Sequence, residues 1–389
     1  MILKKIIIIF ILFMMALCNI CIATDIQNEK YLTVVLNDFS SRENDKQQNN
    51  EIQIYSESAI LMEQTTGKIL YEKDIHARKF PASTTKILTG IIALEKCKLD
   101  EKAVANDTAI NVIKSGYSTA NIKVGEVFTI EQLLDVMLIH SANEAANVIA
   151  EHISGSISEF SKLMNAKAKE IGCLDSNFVN PNGMHDENHY STAYDLALIT
   201  RYCMKNQKFR EIVTKMECSL PQTELWQEPR IYKNTNSLLI SENKYYYPYC
   251  VGGKTGFTTP AKNCLTSSSN KDGFETISVV LHAEATEDGL SARYTDTIKL
   301  FEYGYNNYNI NDILEEYDLI EYTEKQTKKD NIVGIFTNES SNDKEHQVFD
   351  YNSWIKVVIG LVIILLIVCY SLIKWILKYK RKKILFLKQ

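Results

Sequence analysis

With 389 residues, 45% of them hydrophobic and 23% charged, the chain has ample material for a buried core and is long for a single domain. The formal net charge of −5 hides a division: apart from 2 leader lysines and the 7 basic residues beyond Lys356, 34 basic side chains face 48 acidic ones, a balance of −14. That excludes recognition of nucleic acid or other polyanions through net charge, so partners are to be sought in a defined site.

Residues 1–23 carry Lys4 and Lys5, an apolar run from Ile6 to Leu17 and small residues near Ala23, the pattern of a secretory signal cleaved after Ala23. Residues 24–52 read as a disordered lead-in, because Ser40–Asn50 is polar and lacks apolar periodicity. The folded domain is expected over 53–308. Ala59–Glu63 and Lys68–Glu72 flank Gln64-Thr65-Thr66-Gly67, a strand–turn–strand signature. Helical spacing runs from Thr84 to Leu94 and predicts further helices at Ile130–His140, Ala142–Ser154, Ile157–Ile171 and Thr192–Asn206. Cys264–Ser268 and Thr276–Leu281 form a hairpin around Asn270-Lys271-Asp272-Gly273, and a last helix, Ala292–Tyr305, packs back on the sheet. Strands at both ends with helices between predict an α+β fold, an antiparallel sheet flanked by helices and joined to a helical lobe.

Residues 309–353 are acidic and Asn-rich and read as a stalk. An uncharged run, Val357–Ile373, extends to a transmembrane helix over 354–377 when Lys356 and Lys374 snorkel, and the basic tail 378–389 places that end in the cytoplasm. The catalytic domain is thereby expected outside the cell membrane. Six cysteines lie in the domain, at Cys97, Cys173, Cys203, Cys218, Cys250 and Cys264, with no metal-type pair spacing; free thiols and disulfides both remain open.

Three short motifs carry the chemistry. In Ser83-Thr84-Thr85-Lys86 the serine stands at a helix start, where free N–H groups favour developing negative charge, and Lys86 lies one turn on along the same face. A serine hydroxyl needs a base, and a lysine serves if burial and a second cation such as Lys254 lower its pKa. Taken alone, the piece is better accounted for by a serine cap beside a solvated lysine. In Ser141-Ala142-Asn143 the hydroxyl can relay a proton to a leaving amine while the Asn amide holds a substrate amide. Lys254-Thr255-Gly256 sits in a glycine-rich strand suited to close backbone approach, with a cation and a hydroxyl for a carboxylate.

In this order the motifs resemble those of the serine D-alanyl-D-alanine carboxypeptidases, the low-molecular-mass penicillin-binding proteins. The resemblance extends over about residues 55–308. It includes Thr66-Gly67-Lys68, Pro81-Ala82-Ser83, Asn180-Pro181-Asn182-Gly183-Met184 and His189-Tyr190-Ser191-Thr192-Ala193-Tyr194-Asp195. It implies a β-lactamase/DD-peptidase-like fold with Ser83 as nucleophile, Lys86 as base and Ser141 as proton relay. It further implies Asn143, Lys254, Thr255 and Gly256 as substrate-binding residues and the backbone N–H groups of Ser83 and Phe257 as the oxyanion hole. No cofactor and no metal are implied; the partners are peptidoglycan stem peptides, β-lactam antibiotics and the membrane. Two positions depart from the family pattern: Ala142 stands where Gly is usual, and Ala261-Lys262-Asn263-Cys264 where Ala-Gly-x-Cys is usual.

Rival readings have less support. A β-lactamase of the class A type needs a Glu-x-x-Leu-Asn segment between Asn143 and Lys254, and the sequence has none. His185 and His189 have the His-x-x-x-His spacing of a zinc peptidase but follow a loop signal and lack the adjacent glutamate, so packing or surface roles fit them better. A catalytically silent wall scaffold, or a DD-endopeptidase, stands as the alternative to a carboxypeptidase.

Overall fold

The computed structural model describes residues 52–113 and 115–317. A five-stranded antiparallel sheet runs in the order β2-β1-β9-β8-β7, from β1 (Ser58–Glu63), β2 (Ile69–Lys73), β7 (Cys250–Thr258), β8 (Lys262–Lys271) and β9 (Phe274–Ala283). Every residue of β1 is buried, because both faces of the sheet are covered. Ile60 and Met62 join the larger core, whereas Ala59 and Leu61 join a second one against the C-terminal helices. A period of two thus divides one apolar run between two cores.

The helical side starts from a 3-10 turn, Ala82–Thr85, leading into α1 (Lys86–Lys96). Next come β3 (Lys102–Val104), a short α2 (Asp107–Ile110), β4 (Val127–Thr129) and α3 (Ile130–Asp135). A π-helical turn, Val136–His140, leads from α3 towards α4 (Asn143–Ser154), with α5 (Ile157–Ile171), α6 (Ala193–Cys203) and α7 (Gln207–Thr214) beyond. A small hairpin, β5 (Glu217–Leu220) and β6 (Arg230–Lys233), precedes the sheet strand β7. After β9, α8 (Ala292–Asn307) and α9 (Ile310–Glu316) close the second core.

The expected α+β architecture is present, with three local differences. The helix expected from Thr84 begins at Lys86, since the chain turns tightly through Ser83 first. The helix expected over Ile130–His140 widens to π geometry in its second half. Part of the segment expected as a stalk from 309 is folded: α9 is packed, with Ile313 buried and Glu316 paired with Lys68, the residue just before β2. The antiparallel β3–β4 pair, the β5–β6 hairpin, α2 and α7 had no expectation, being too short or too polar for a periodic signal.

All six domain cysteines are free thiols. Among the described residues no helix is long and apolar enough to cross a membrane. The segments read as signal (1–23), transmembrane helix (354–377) and basic tail (378–389) lie outside the described residues, as do most of the lead-in and of the stalk.

Candidate active site

Ser83 lies within the 3-10 turn, directly after Ala82, whose φ is +47°. That left-handed conformation is unfavourable for a residue with a Cβ and is held by packing on both sides. Gly183 presses on one side: a Cβ there would fall 1.8 Å from the Ala82 carbonyl oxygen, and its own φ is +81°. Gly256 of the edge strand β7 presses on the other, where a Cβ would meet Pro81 O and Ser83 N at 3.0 Å each. Two glycines from distant segments therefore clamp the nucleophile's turn.

Lys86, the first residue of α1, is fully buried. Its Nζ lies 2.8 Å from Ser83 Oγ, 2.8 Å from Asn143 Oδ1 and 2.6 Å from the Asn182 carbonyl oxygen. A neutral amine has two N–H groups and one lone pair. In the neutral amine the two carbonyl-type acceptors would take the N–H groups and leave the lone pair for the serine hydroxyl. Burial pushes Lys86 well below its ordinary pKa, the Lys254 cation adds to this, and the Glu144 carboxylate opposes it. This geometry and this electrostatic setting suit Lys86 to take a proton from Ser83.

Asn143 opens α4 and is tied on both sides. Its backbone N–H and its Nδ2 donate to the Ser118 carbonyl at 3.1 and 2.9 Å, while Oδ1 accepts from Lys86. The amide expected to hold substrate at both its ends already positions the lysine and the loop 115–122 with one acceptor and one donor. One lone pair and one N–H are left over for a ligand. Next to it, Glu144 accepts from Thr119 Oγ1 at 2.5 Å and from the N–H groups of Ala120 and Ile122 at 2.6 and 3.3 Å, fixing the same loop.

Ser141 follows the π turn with φ of +71° and is 5% exposed. Its N–H donates to Val136 O, a five-residue closure that lets the chain reverse before α4. Ser83, Ser141, Asn143, Thr255, Phe257 and Arg293 line one cleft of about 470 Å³. Lys254 does not line it: the side chain is fully buried, donates to the Thr255 carbonyl at 3.0 Å, and is pushed down to about 7 by burial and by Arg293. Thr255 is held at 2.7 Å from Thr235 Oγ1. Phe257 is 58% exposed at the rim.

Arg293 escaped the sequence reading. It stands in the first turn of α8, donates from Nη1 to Gly256 O at 3.3 Å and lines the cleft beside Thr255. Among the described residues, the cation facing the cleft is therefore this arginine, with Lys254 behind the wall. Nothing about Ser291-Ala292-Arg293 signals such a role, since the residue reaches the site only through helix packing. Asn182 was noticed as part of a segment; its carbonyl contact with Lys86 was not legible. His189 is a buried packing residue. Nδ1 accepts the Val179 N–H at 3.1 Å, so Nε2–H donates to Thr85 Oγ1 at 2.8 Å, and burial pushes its pKa down to about 4. His185 instead pairs with Glu187 at 3.2 Å.

Residues 43–285 match the family model described as D-alanyl-D-alanine carboxypeptidase, peptidase S11. The chain is 31% identical over 303 residues to D-alanyl-D-alanine carboxypeptidase DacF of Bacillus subtilis, covering 76% of this chain and 74% of that protein. It is 30% identical to a D-alanyl-D-alanine endopeptidase of Pseudomonas aeruginosa, over 55% of this chain and 66% of that one. The structure is similar to that of the Streptomyces K15 DD-transpeptidase, with a TM-score of 0.60 at 29% identity, covering 66% of this chain and all of that one. The clamped serine, the buried lysine between two carbonyls and the matched length lead to one assignment: the chain belongs to the S11 family of D-alanyl-D-alanine carboxypeptidases, which are serine hydrolases.

Proposed function

We propose that the protein removes the terminal D-alanine from peptidoglycan stem pentapeptides through an acyl-enzyme on Ser83, and that β-lactams acylate the same hydroxyl. The observation that carries this is the three-way environment of Lys86 Nζ, in which a neutral amine that donates to Asn143 Oδ1 and Asn182 O turns its lone pair to Ser83 Oγ. The amine takes the hydroxyl proton as Oγ attacks the carbonyl between the two D-alanines. Backbone N–H groups of Ser83 and Phe257 receive the oxyanion, and Ser141 relays a proton to the departing amine. Thr255, Gly256 and Arg293 hold the terminal carboxylate, with Lys254 shaping the potential behind them. Water then hydrolyses the ester.

The leader pattern of residues 1–23 and the apolar run at 354–377 support export and a single-pass anchor, with the catalytic domain outside the cell membrane. Cleavage of cross-links would use the same acyl-enzyme with a bulkier leaving group, as the name of the endopeptidase relative suggests.

Intact-mass spectrometry of the protein with benzylpenicillin, beside Ser83→Ala, tests the mechanism. We expect one adduct per chain that persists for many minutes and is absent in the variant. No adduct at any time would leave a silent wall scaffold, and an adduct that clears at once would indicate a β-lactamase. Product analysis on pentapeptide and on cross-linked dimer separates exopeptidase from endopeptidase action.

A further inference from the structure

Among the described residues, Cys97, Glu101 and His152 bring a thiol, a carboxylate oxygen and an imidazole nitrogen within 4.8 Å of one another. We propose that this cluster binds a single zinc-type divalent cation, a structural site separate from the hydrolytic centre and not used by it. The donor set is the mixed S, O, N type that borderline-soft metals favour, with a fourth tetrahedral position open to water. Ligands 2.0–2.3 Å from a tetrahedral metal stand roughly 3.3–3.7 Å apart. His152 Nε2 and Glu101 Oε2 already lie at 3.2 Å, so closure around an ion needs small side-chain movements only.

The backbone of the site is prepared. Cys97 caps α1, its N–H donating to Ala93 O at 3.0 Å. Glu101 N donates to Lys98 O at 3.2 Å, and the Lys98 N–H donates back to Glu101 Oε1 at 2.9 Å, while Oε2 pairs with His152 Nε2, a contact the ion would replace by ligating both atoms. The start of α3 holds the same turn from outside: Ile130 and Glu131 N–H donate to Glu101 O and Leu99 O at 2.9 and 3.0 Å. His152 sits in the last turn of α4. Thiolate and carboxylate together neutralise the cation's two charges, and binding releases the Cys97 proton to solvent as the metal–sulfur bond forms.

The placement gives the site its purpose. α1 begins at Lys86 and α4 at Asn143, whose side chains meet at 2.8 Å in the active site. The same two helices end beside Cys97 and His152, about 16 Å and 14 Å further along at 1.5 Å per residue. A bound cation would tie together the far ends of the helix pair whose near ends hold the base.

The test uses the full chain, stripped with chelator and kept reduced by a phosphine, titrated with Co²⁺ as a spectroscopic probe and then with Zn²⁺. The expected result is one equivalent of Co²⁺ with a thiolate-to-cobalt charge-transfer band and tetrahedral visible bands. Zn²⁺ should displace it, raise Tm by a few degrees, and slow alkylation of Cys97 at least tenfold. Cys97→Ser and His152→Gln should each remove the charge-transfer band and the Tm shift while retaining benzylpenicillin acylation, which shows that the variants are folded. Absence of the band in the wild-type protein, or its persistence in both variants, overturns the proposal.

Discussion

Lys86 and Lys254 are two buried lysines with different tasks, and their order of proximity to Ser83 sets them apart. Lys86 touches the nucleophile; Lys254 acts on Lys86 through its charge. Because burial and the second cation both depress Lys86, the acylation rate should rise as pH climbs through that lowered pKa. Lys254→Gln removes one of the two depressing influences, so Lys86 holds its proton to higher pH. The ascending limb of the acylation–pH profile with a fluorescent penicillin is therefore expected to move to higher pH in Lys254→Gln, whatever happens to its height. A limb that stays in place or moves down would show that the two amines are not coupled. Sequence order alone singled out both lysines. It could not say which one touches Ser83, because that depends on the direction β7 presents to the turn at Ser83.

At the level of elements, the site is a meeting of one 3-10 turn, one edge strand, three helix starts and the loops around 115–122 and 180–184. Gly183 is where the second loop touches the turn. Gly183→Ala would require a Cβ 1.8 Å from the Ala82 carbonyl oxygen and a left-handed φ for alanine, so turn and loop must part. Displacement on the scale of 1 Å lowers the rate by about 10²-fold in such sites. We expect penicillin acylation to fall by at least that factor in Gly183→Ala with the circular dichroism of the fold preserved; a loss of only a few-fold would show that the clamp is compliant. The segment Asn180–Met184 was visible in the sequence as a family pattern. Its mechanical role was not, since the contact partner lies about a hundred positions earlier in the chain.

For the whole molecule, the sheet buries two cores, and the second is completed by α8 and α9. Ile313→Ala on α9 should lower stability by about 2 kcal/mol, at the low end for a buried isoleucine because the helix is terminal. That corresponds to a Tm drop of roughly 4–8 °C. An unchanged Tm would return the boundary to 308, where composition had put it. Composition misled there because α9 is short and acidic, and its single buried apolar side chain matters only against a sheet that sequence does not display. The sequence by itself determined the longer helices and several sheet strands in their order, the α+β class and the residues of the three motifs, since each rests on local periodicity or on a pattern of neighbours. Only the tertiary structure decided that Arg293 faces the cleft, that Asn182 and Asn143 orient the Lys86 amine, and that Cys97 and His152 meet at the far ends of their helices. These are contacts between residues far apart in the chain, fixed by strand order and helix packing, and neither leaves a local trace in composition or spacing.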